Sequence, residues 1–315
     1  MNLLLGIIQA LMVLMLAPFF AGFIHKLKQR IRGQKGISVF QLYRNLYKLH
    51  KKEIVLSKDT SLVSRLAPYF YFLPHALLCF MLPFFYESPL LGNSSNPVVL
   101  LYLLSLSIFF MTLYALDQAS SFGALGSSRE WFISSLSEPS AILLLFSLCI
   151  YTGEFNLSHA FLTLSNELRS FFSEHPSRFS ISIPFLLLFT LLILTLAENA
   201  RIPFDNPETH LELTMVHEAN ILEASGPHLL LFEYGSYLRL TLFLSIMSIL
   251  IFPFIGDSTF YPLAFALYLL KMLFLCILIA FVESFNAKMR LFRIPNVLSF
   301  AFVLSLLTLI LSMEA

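Results

Sequence analysis

Residues 198 to 226 read ENARIPFDNPETHLELTMVHEANILEASG, with long apolar runs on either side. This stretch holds Glu198, Asp205, Glu208, Glu212, Glu218 and Glu223, six of the chain's 19 acids, together with Arg201, His210 and His217. Only 12% of the 315 residues are charged, so such a patch beside apolar runs calls for a chemical reason. Carboxylates gathered in a poorly hydrated place have raised pKa values and titrate as coupled groups. A line of them near a membrane has the chemistry of a proton relay. The plainer reading is that each acid caps a helix or pairs with Arg201, Arg129 or Arg239. For one acid the two readings weigh equally; for the cluster the relay is preferred.

Asn206-Pro207 reads as a helix cap and first turn, and Gly226-Pro227 as a stop. One helix over 207–225 places Glu208, Glu212, Ala219 and Glu223 within about 60° of each other. Leu211, Met215, Val216 and Leu222 flank that face, with His210 and His217 opposite. A metal site is not indicated. His217-Glu218 starts a zincin-like pair, but Ile221 stands where the second histidine belongs. No nucleophile elbow or phosphate-cradling glycine loop is present.

Two further clusters bear on the same chemistry. The third loop, GSSREWFISSLSEP, carries Arg129, Glu130 and Glu138; the seventh, VESFNAKMRLFRIP, carries Glu283, Lys288, Arg290 and Arg293. Lys271 falls near the middle of an apolar run, where a lysine is costly unless it faces an acid or water. Asp117 ends the third run, and His75 reads as a satisfied interior histidine.

The elements that position these groups are membrane spans. Hydrophobic residues make up 57% of the chain and mean hydropathy is +0.79. Soluble domains are about half apolar and about a quarter charged. The apolar runs approach the roughly 20 residues that cross a bilayer. Eight spans are expected: Met1–Ile24, Pro68–Tyr86, Pro97–Leu116, Leu136–Tyr151, Ile181–Ala197, Tyr237–Ile255, Tyr261–Val282 and Ile294–Ser312. The expected fold is all-α, one polytopic helical membrane domain over 1–315. Ser38–Lys52 adds an amphipathic helix, with Val39, Leu42, Tyr43, Leu46 and Leu49 opposite Gln41, Arg44, Asn45, Lys48 and Lys52. Such a helix suits the headgroup plane.

Met1–Ile24 lacks a basic leader, and its positive charge follows it, the reverse of a cleaved signal. Loops after spans one, three, five and seven hold sixteen of the 20 Lys and Arg; loops after two, four and six hold only Arg169 and Arg178. The positive-inside rule then places the charged loops in the cytoplasm and both termini outside. A net charge of +1 excludes a general attraction to nucleic acid. Cys79, Cys149 and Cys276 stand alone in apolar runs, which suits packing rather than a redox centre or disulfides.

ARIPFDNPETHLELTMVHEANILEASG resembles the signature loop of the membrane subunit of group 4 energy-converting NiFe hydrogenases and formate hydrogenlyase, the hydrogenase-4 type. ESFNAKMRLFRIP resembles that family's late loop, QRIRGQKGISVFQLYRNLYKLHKKE its first and GSSREWFISSLSEP its third. More distantly, the chain resembles the quinone-pocket membrane subunit (subunit 1) of respiratory NADH dehydrogenase, for which eight spans are expected. The resemblance implies a non-catalytic anchor in the cytoplasmic membrane of a bacterium or archaeon. It implies no cofactor on this chain, with a 4Fe-4S cluster and a NiFe centre on partner hydrogenase small and large subunits. Antiporter-like membrane subunits would carry protons or sodium. Glu198, Arg201, Asp205, Glu208, Glu212, Glu218 and Glu223 would line an acidic entrance. Glu130, Glu138, Lys271 and Glu283 would continue the coupling path, and Arg129, Lys288, Arg290 and Arg293 would dock the peripheral arm. Gly33-Gln34 and Gly226-Pro227 depart from the family pattern without removing an acid. HLELTMVHE favours the hydrogenase branch over a quinone site. A stand-alone secondary transporter is the weakest reading, since no internal repeat is visible and the charges crowd one face rather than the midplane.

Overall fold

The computed structural model describes residues 2–57, 60–173, 182–206, 214–251 and 261–314. Its helices are α1 (Asn2–Ile31), α2 (Gln41–His50), α3 (Leu62–Met81), α4 (Pro97–Asp117), α5 (Ser121–Thr152), α6 (Leu157–Ser173), α7 (Ser182–Glu198), α8 (His217–Asn220), α9 (Gly226–Ile251), α10 (Tyr261–Phe285) and α11 (Ile294–Glu314). Among the described residues there is no strand. The chain is an all-α polytopic membrane bundle. Six helices (α1, α4, α5, α9, α10 and α11) are long and apolar enough to cross a bilayer, and α7 is a shorter apolar helix. The 20 residues of α3 reach about 30 Å, a hydrocarbon core's thickness, although Arg65, two prolines and His75 dilute their apolar character. These eight helices stand where eight spans are expected.

Several boundaries move. The fourth span begins fifteen residues early, at Ser121, so Arg129, Glu130 and Glu138 lie within α5 and not in a loop. The sixth begins at Gly226, which places Arg239 well inside α9. Gly226-Pro227 therefore opens a helix rather than closing one, as a proline in a first turn does. Gly226 has φ +53°, and a Cβ there would meet the Glu53 carbonyl oxygen at 2.5 Å. The expected helix over 207–225 is not formed where it is described. Only His217–Asn220 is helical, and Leu222 and Glu223 are exposed. His217, expected on the solvated side, is buried.

Two details fix the ends of the bundle. Pro18 sits inside α1 and cannot donate to the Leu14 carbonyl, a defect that costs about 3 kcal/mol in an ordinary helix. Tyr234 from α9 donates its hydroxyl to that carbonyl at 2.9 Å, and Tyr43 from α2 donates to the next one, Met15 O, at 2.5 Å. The amphipathic helix is thereby fastened to α1 beside Pro18, with Leu42 buried and Arg44 and Lys48 exposed. At the opposite end, α6 closes over the α3–α4 connection: Ser158 donates to Met81 O at 2.9 Å and Asn156 to Gly92 O at 2.9 Å. Buried Gln9 accepts from the Phe85 and Tyr86 N–H groups and donates to Leu82 O. Those contacts are neutral. The ion pairs of Lys28, Arg201, His217, Arg239 and Lys288 gather at the other, charged end.

Candidate functional site

At the charged end, α1, α2, α3, α7, α8 and α9 surround a polar chamber of about 210 Å³. Glu198, at the foot of α7, faces Arg239 of α9, which is 1% exposed. Their carboxylate and guanidinium are in direct contact, and the Ser137 hydroxyl of α5 donates to the other Glu198 oxygen. Two partners from two helices thus fix one carboxylate. Arg201, Glu218, Glu233 and Tyr237 also line the chamber, and Tyr237 reaches Glu233 at 3.4 Å. Among the described residues, Tyr71 Oη, His217 Nδ1, and Arg239 Nε and Nη1 are buried with no hydrogen-bond partner. A polar cavity of this size has room for several waters, and polar atoms of this kind are what ordered water binds.

Behind the chamber lies a charge cluster sealed from solvent. Lys28 Nζ lies 2.6 Å from Glu283 Oε2, and Arg201 Nη1 3.3 Å from Glu283 Oε1. Lys28 is fully buried, although it belongs to a run of basic residues that reads as solvated. Removing one member of a buried pair typically costs about 3–5 kcal/mol, because the other charge is left uncompensated. This cluster ties the ends of α1 and α10 to the loop after α7.

The short α8 is held by its neighbours. Asp205 Oδ2 accepts the Val216 and His217 N–H groups at 3.2 Å, acting as a cap from eleven and twelve residues away. The other Asp205 oxygen takes Lys288. Gly126 of α5 lets α8 come close: a Cβ there would lie 2.8 Å from the Ala219 methyl. Ser127 adds a hydrogen bond to Asn220 at 3.2 Å. His217 Nδ1 then sits 3.8 Å from Glu130 Oε1, an ion-pair contact too long for a direct hydrogen bond. Burial opposes a charge on His217, but the Glu130 carboxylate beside it and Glu218 more than offset that. Its imidazole is held above the ordinary value.

From this point α5 leads inward. Glu130, Ser134, Ser137 and Glu138 follow i, i+4, i+7, i+8 spacing, one helical stripe. Ser134 Oγ donates to Glu138 Oε1 at 3.1 Å, and Ser105 of α4 donates to the same oxygen at 3.0 Å. The Ser137 hydroxyl can turn between Glu198 and the Ser134 carbonyl. Glu138 lies near the middle of α5, in a crevice of about 270 Å³ shared with Tyr102 and Ile142.

The expected site residues therefore separate into groups. Glu198, Arg201 and Glu218 line the chamber; Glu130 faces it through His217; Asp205 and Glu283 hold its walls; and Glu138 sits deeper along α5. Glu223 is exposed, and Lys271 is buried in α10, not among the lining residues. Glu208 and Glu212 lie outside the described residues. Of the expected docking cations, Arg290 and Arg293 are exposed. Arg129 is half-buried and donates to Met215 O at 2.9 Å, while Lys288 turns inward onto Asp205 and Thr214 O. Asp117, at the end of the third run, caps α3 by accepting the Ser61 and Ser64 N–H groups. Cys79, Cys149 and Cys276 are buried free thiols. Sequence reasoning missed Lys28, Glu233, Tyr71 and the two α5 serines. It named Arg239 only as a pairing partner, although an arginine within an apolar run is itself a signal.

A multi-span bundle with paired charges around a polar chamber, and a carboxylate stripe leading from it into the membrane, defines a class of integral membrane subunit. The chain belongs to the NADH dehydrogenase family, whose pattern matches residues 4–313. It is 30% identical over 307 residues to hydrogenase-4 component C of Escherichia coli K12, covering 95% of this chain and 92% of that protein. It is 28% identical over 302 residues to formate hydrogenlyase subunit 4 of the same organism, covering 94% of each. Its fold matches a chain of the membrane-bound sulfane sulfur reductase, an archaeal respiratory membrane complex, with a TM-score of 0.81 and 14% identity, covering 99% of this chain and all of that one.

Proposed function

We propose that the chain is the membrane anchor and ion-coupling subunit of a multisubunit hydrogenase-type redox complex. It binds no cofactor and has no active site of its own. The 4Fe-4S cluster and NiFe centre belong to hydrogenase small and large subunits seated on the charged end. Antiporter-like membrane subunits continue the path of protons or sodium. That end faces the cytoplasm, with both termini on the other side of a bacterial or archaeal cytoplasmic membrane.

The observation that carries this reading is the α5 stripe. Glu130 and Glu138 lie eight residues apart on one helix, about 12 Å along its axis. Ser134 and Ser137 stand between them, and Ser137 reaches Glu198 at the chamber. Hydroxyls that rotate between acceptors can hand a proton along. A carboxylate at that depth is costly, and intramembrane acids commonly mark an ion pathway. The named relatives support the partner assignment, because both belong to hydrogen-metabolising systems by name.

The test is Glu138→Gln in the complete complex reconstituted into vesicles. Redox turnover and vesicle acidification are followed together. Turnover retained with proton movement lost is expected; unchanged coupling would remove Glu138 from the path. Quinone-competitive inhibition of the wild-type complex would favour the quinone branch instead.

A further inference from the structure

Residues 25–57 carry nine Lys or Arg and one acid, Glu53. Lys28 is taken by Glu283, but three of the others stand exposed along α2 and its C-terminal cap. Phe40, Arg44, Tyr47, Lys48 and Lys51 are exposed and follow i, i+4, i+7, i+8, i+11 spacing, one stripe on the side away from buried Leu42. Tyr47 is 62% exposed, and the Lys51 ammonium stands over its ring at 4.4 Å. Arg44 and Lys48 have no carboxylate partner among the described residues. The depth of this stripe is set by α1. Gly22 lies against the Val39 carbonyl with no room for a Cβ, and the Phe40 ring meets that of Phe19 at 6.2 Å. Gly22 and Phe19 belong to the apolar run of α1, four and seven residues before Lys26, about 6 and 10 Å along the axis. The start of α2 therefore sits at the edge of the hydrocarbon, not above the headgroups. Beneath it, α1 turns Leu4, Ile8, Leu11, Met12 and Met15 outward with the same spacing, and Phe19 follows one turn beyond Met15. An apolar track thus ends under a cationic stripe.

We infer that α2 and this face of α1 hold an anionic phospholipid, with its phosphate at Arg44 and Lys48 and an acyl chain along the α1 track past Met15. The stripe offers cations and no acid, which selects a headgroup of net negative charge over a zwitterionic one. Phe40 and Tyr47 stand at the level where aromatic side chains meet the boundary between headgroups and acyl chains. The arrangement favours a lipid over a protein, because the cations lie directly over an apolar track on the side of a span. A protein seated on the charged end would meet cations without that track. The inference rests on the membrane bundle alone and does not depend on the redox partners proposed above.

The experiment places an aromatic photo-crosslinking amino acid at position 47 and reconstitutes the intact complex into vesicles of equal phosphatidylglycerol and phosphatidylcholine. Mass spectrometry of the linked products gives the ratio of the two lipids. Phosphatidylglycerol is expected to be favoured by about tenfold, the scale that two or three surface cations supply. Arg44→Gln, Lys48→Gln and Lys51→Gln together should bring the ratio near one, whereas Arg44→Lys with Lys48→Arg should keep it. All three side chains are exposed, and recovery of the complex shows that the variants fold. Arg290→Gln with Arg293→Gln, which removes two other exposed cations, should leave the ratio unchanged. Equal labelling of the two lipids, a ratio that survives the triple variant, an equal fall with the Arg290 and Arg293 changes, or a crosslink to a protein subunit would each overturn the inference. Glu138→Gln in the same vesicles separates the two readings: it alters ion movement and not the lipid ratio.

Discussion

Helix α9 lines two cavities of opposite character. Its first half gives Glu233, Ser236, Tyr237 and Arg239 to the polar chamber. Its second half gives Leu242, Phe243 and Ile246 to an apolar cleft of about 40 Å³, shared with Leu78 and Leu194. Arg239 and Leu242 are three residues apart, less than one turn. The difference lies in what each cavity requires of its walls. A buried charge is tolerated only with its partner in place, so the chamber depends on pairs drawn from distant parts of the chain. The cleft has no polar groups, so its integrity depends on shape and close packing.

The sharpest way to break this contrast is at the charge pair. Arg239→Leu strands Glu198 and should destabilise the protein by about 3–5 kcal/mol, whereas the double replacement with Glu198→Leu should recover much of the loss. Thermal midpoints of the detergent-solubilised protein measure both. Equal stability of the two variants would show that the pair is not coupled. In the cleft, Leu194→Ala should cost about 2–4 kcal/mol through lost contacts and residual space, with the ratio of ions moved to turnover unchanged. A changed ratio would place the cleft on the path.

The smallest effect concerns pH. His217 is faced by Glu130 from α5, Glu218 from its own helix, Arg239 from α9 and Tyr71 from α3. Its folded-state pKa is raised above the ordinary 6.5. The stabilisation it contributes is therefore complete below 6.5 and is lost as pH rises through the folded value. The stability difference between the wild type and His217→Gln should be largest near the acid end of the stable range and shrink toward alkaline pH. A difference that grows with pH would mean that the imidazole is neutral throughout.

The spans were legible because run length is a local property, and a bilayer imposes the same length on every crossing. The amphipathic helix was legible for a similar reason: one periodic stripe reports one half-buried face. The chamber was not. Glu198 and Arg239 are 41 residues apart, and Glu283 meets Lys28 from near the other end of the chain. No spacing rule connects them. Lys28 was hidden by its neighbours, since one buried lysine in a basic run looks like the rest. The stretch around Glu218 misled for a different reason. Its caps and stops follow helix grammar, yet Asp205 supplies the cap from a distance, and the glycine-proline pair belongs to the next helix. The α5 stripe could have been found. Its carboxylates and serines keep helical spacing, but the third loop was read as ending just where the helix runs on.

The carbonyls freed near Pro18 have a mechanical consequence. Tyr43 ties the amphipathic helix to α1, Tyr234 ties α9 to the neighbouring carbonyl, and Leu42 of the same amphipathic helix forms part of the chamber wall. Any displacement of this helix from α1 must first pull a phenol off a carbonyl. In doing so it draws a leucine out of the wall beside the charges. Two hydroxyls and one aliphatic side chain thus connect the amphipathic helix and α9 to one stretch of α1 and to the wall beside the buried ion pairs.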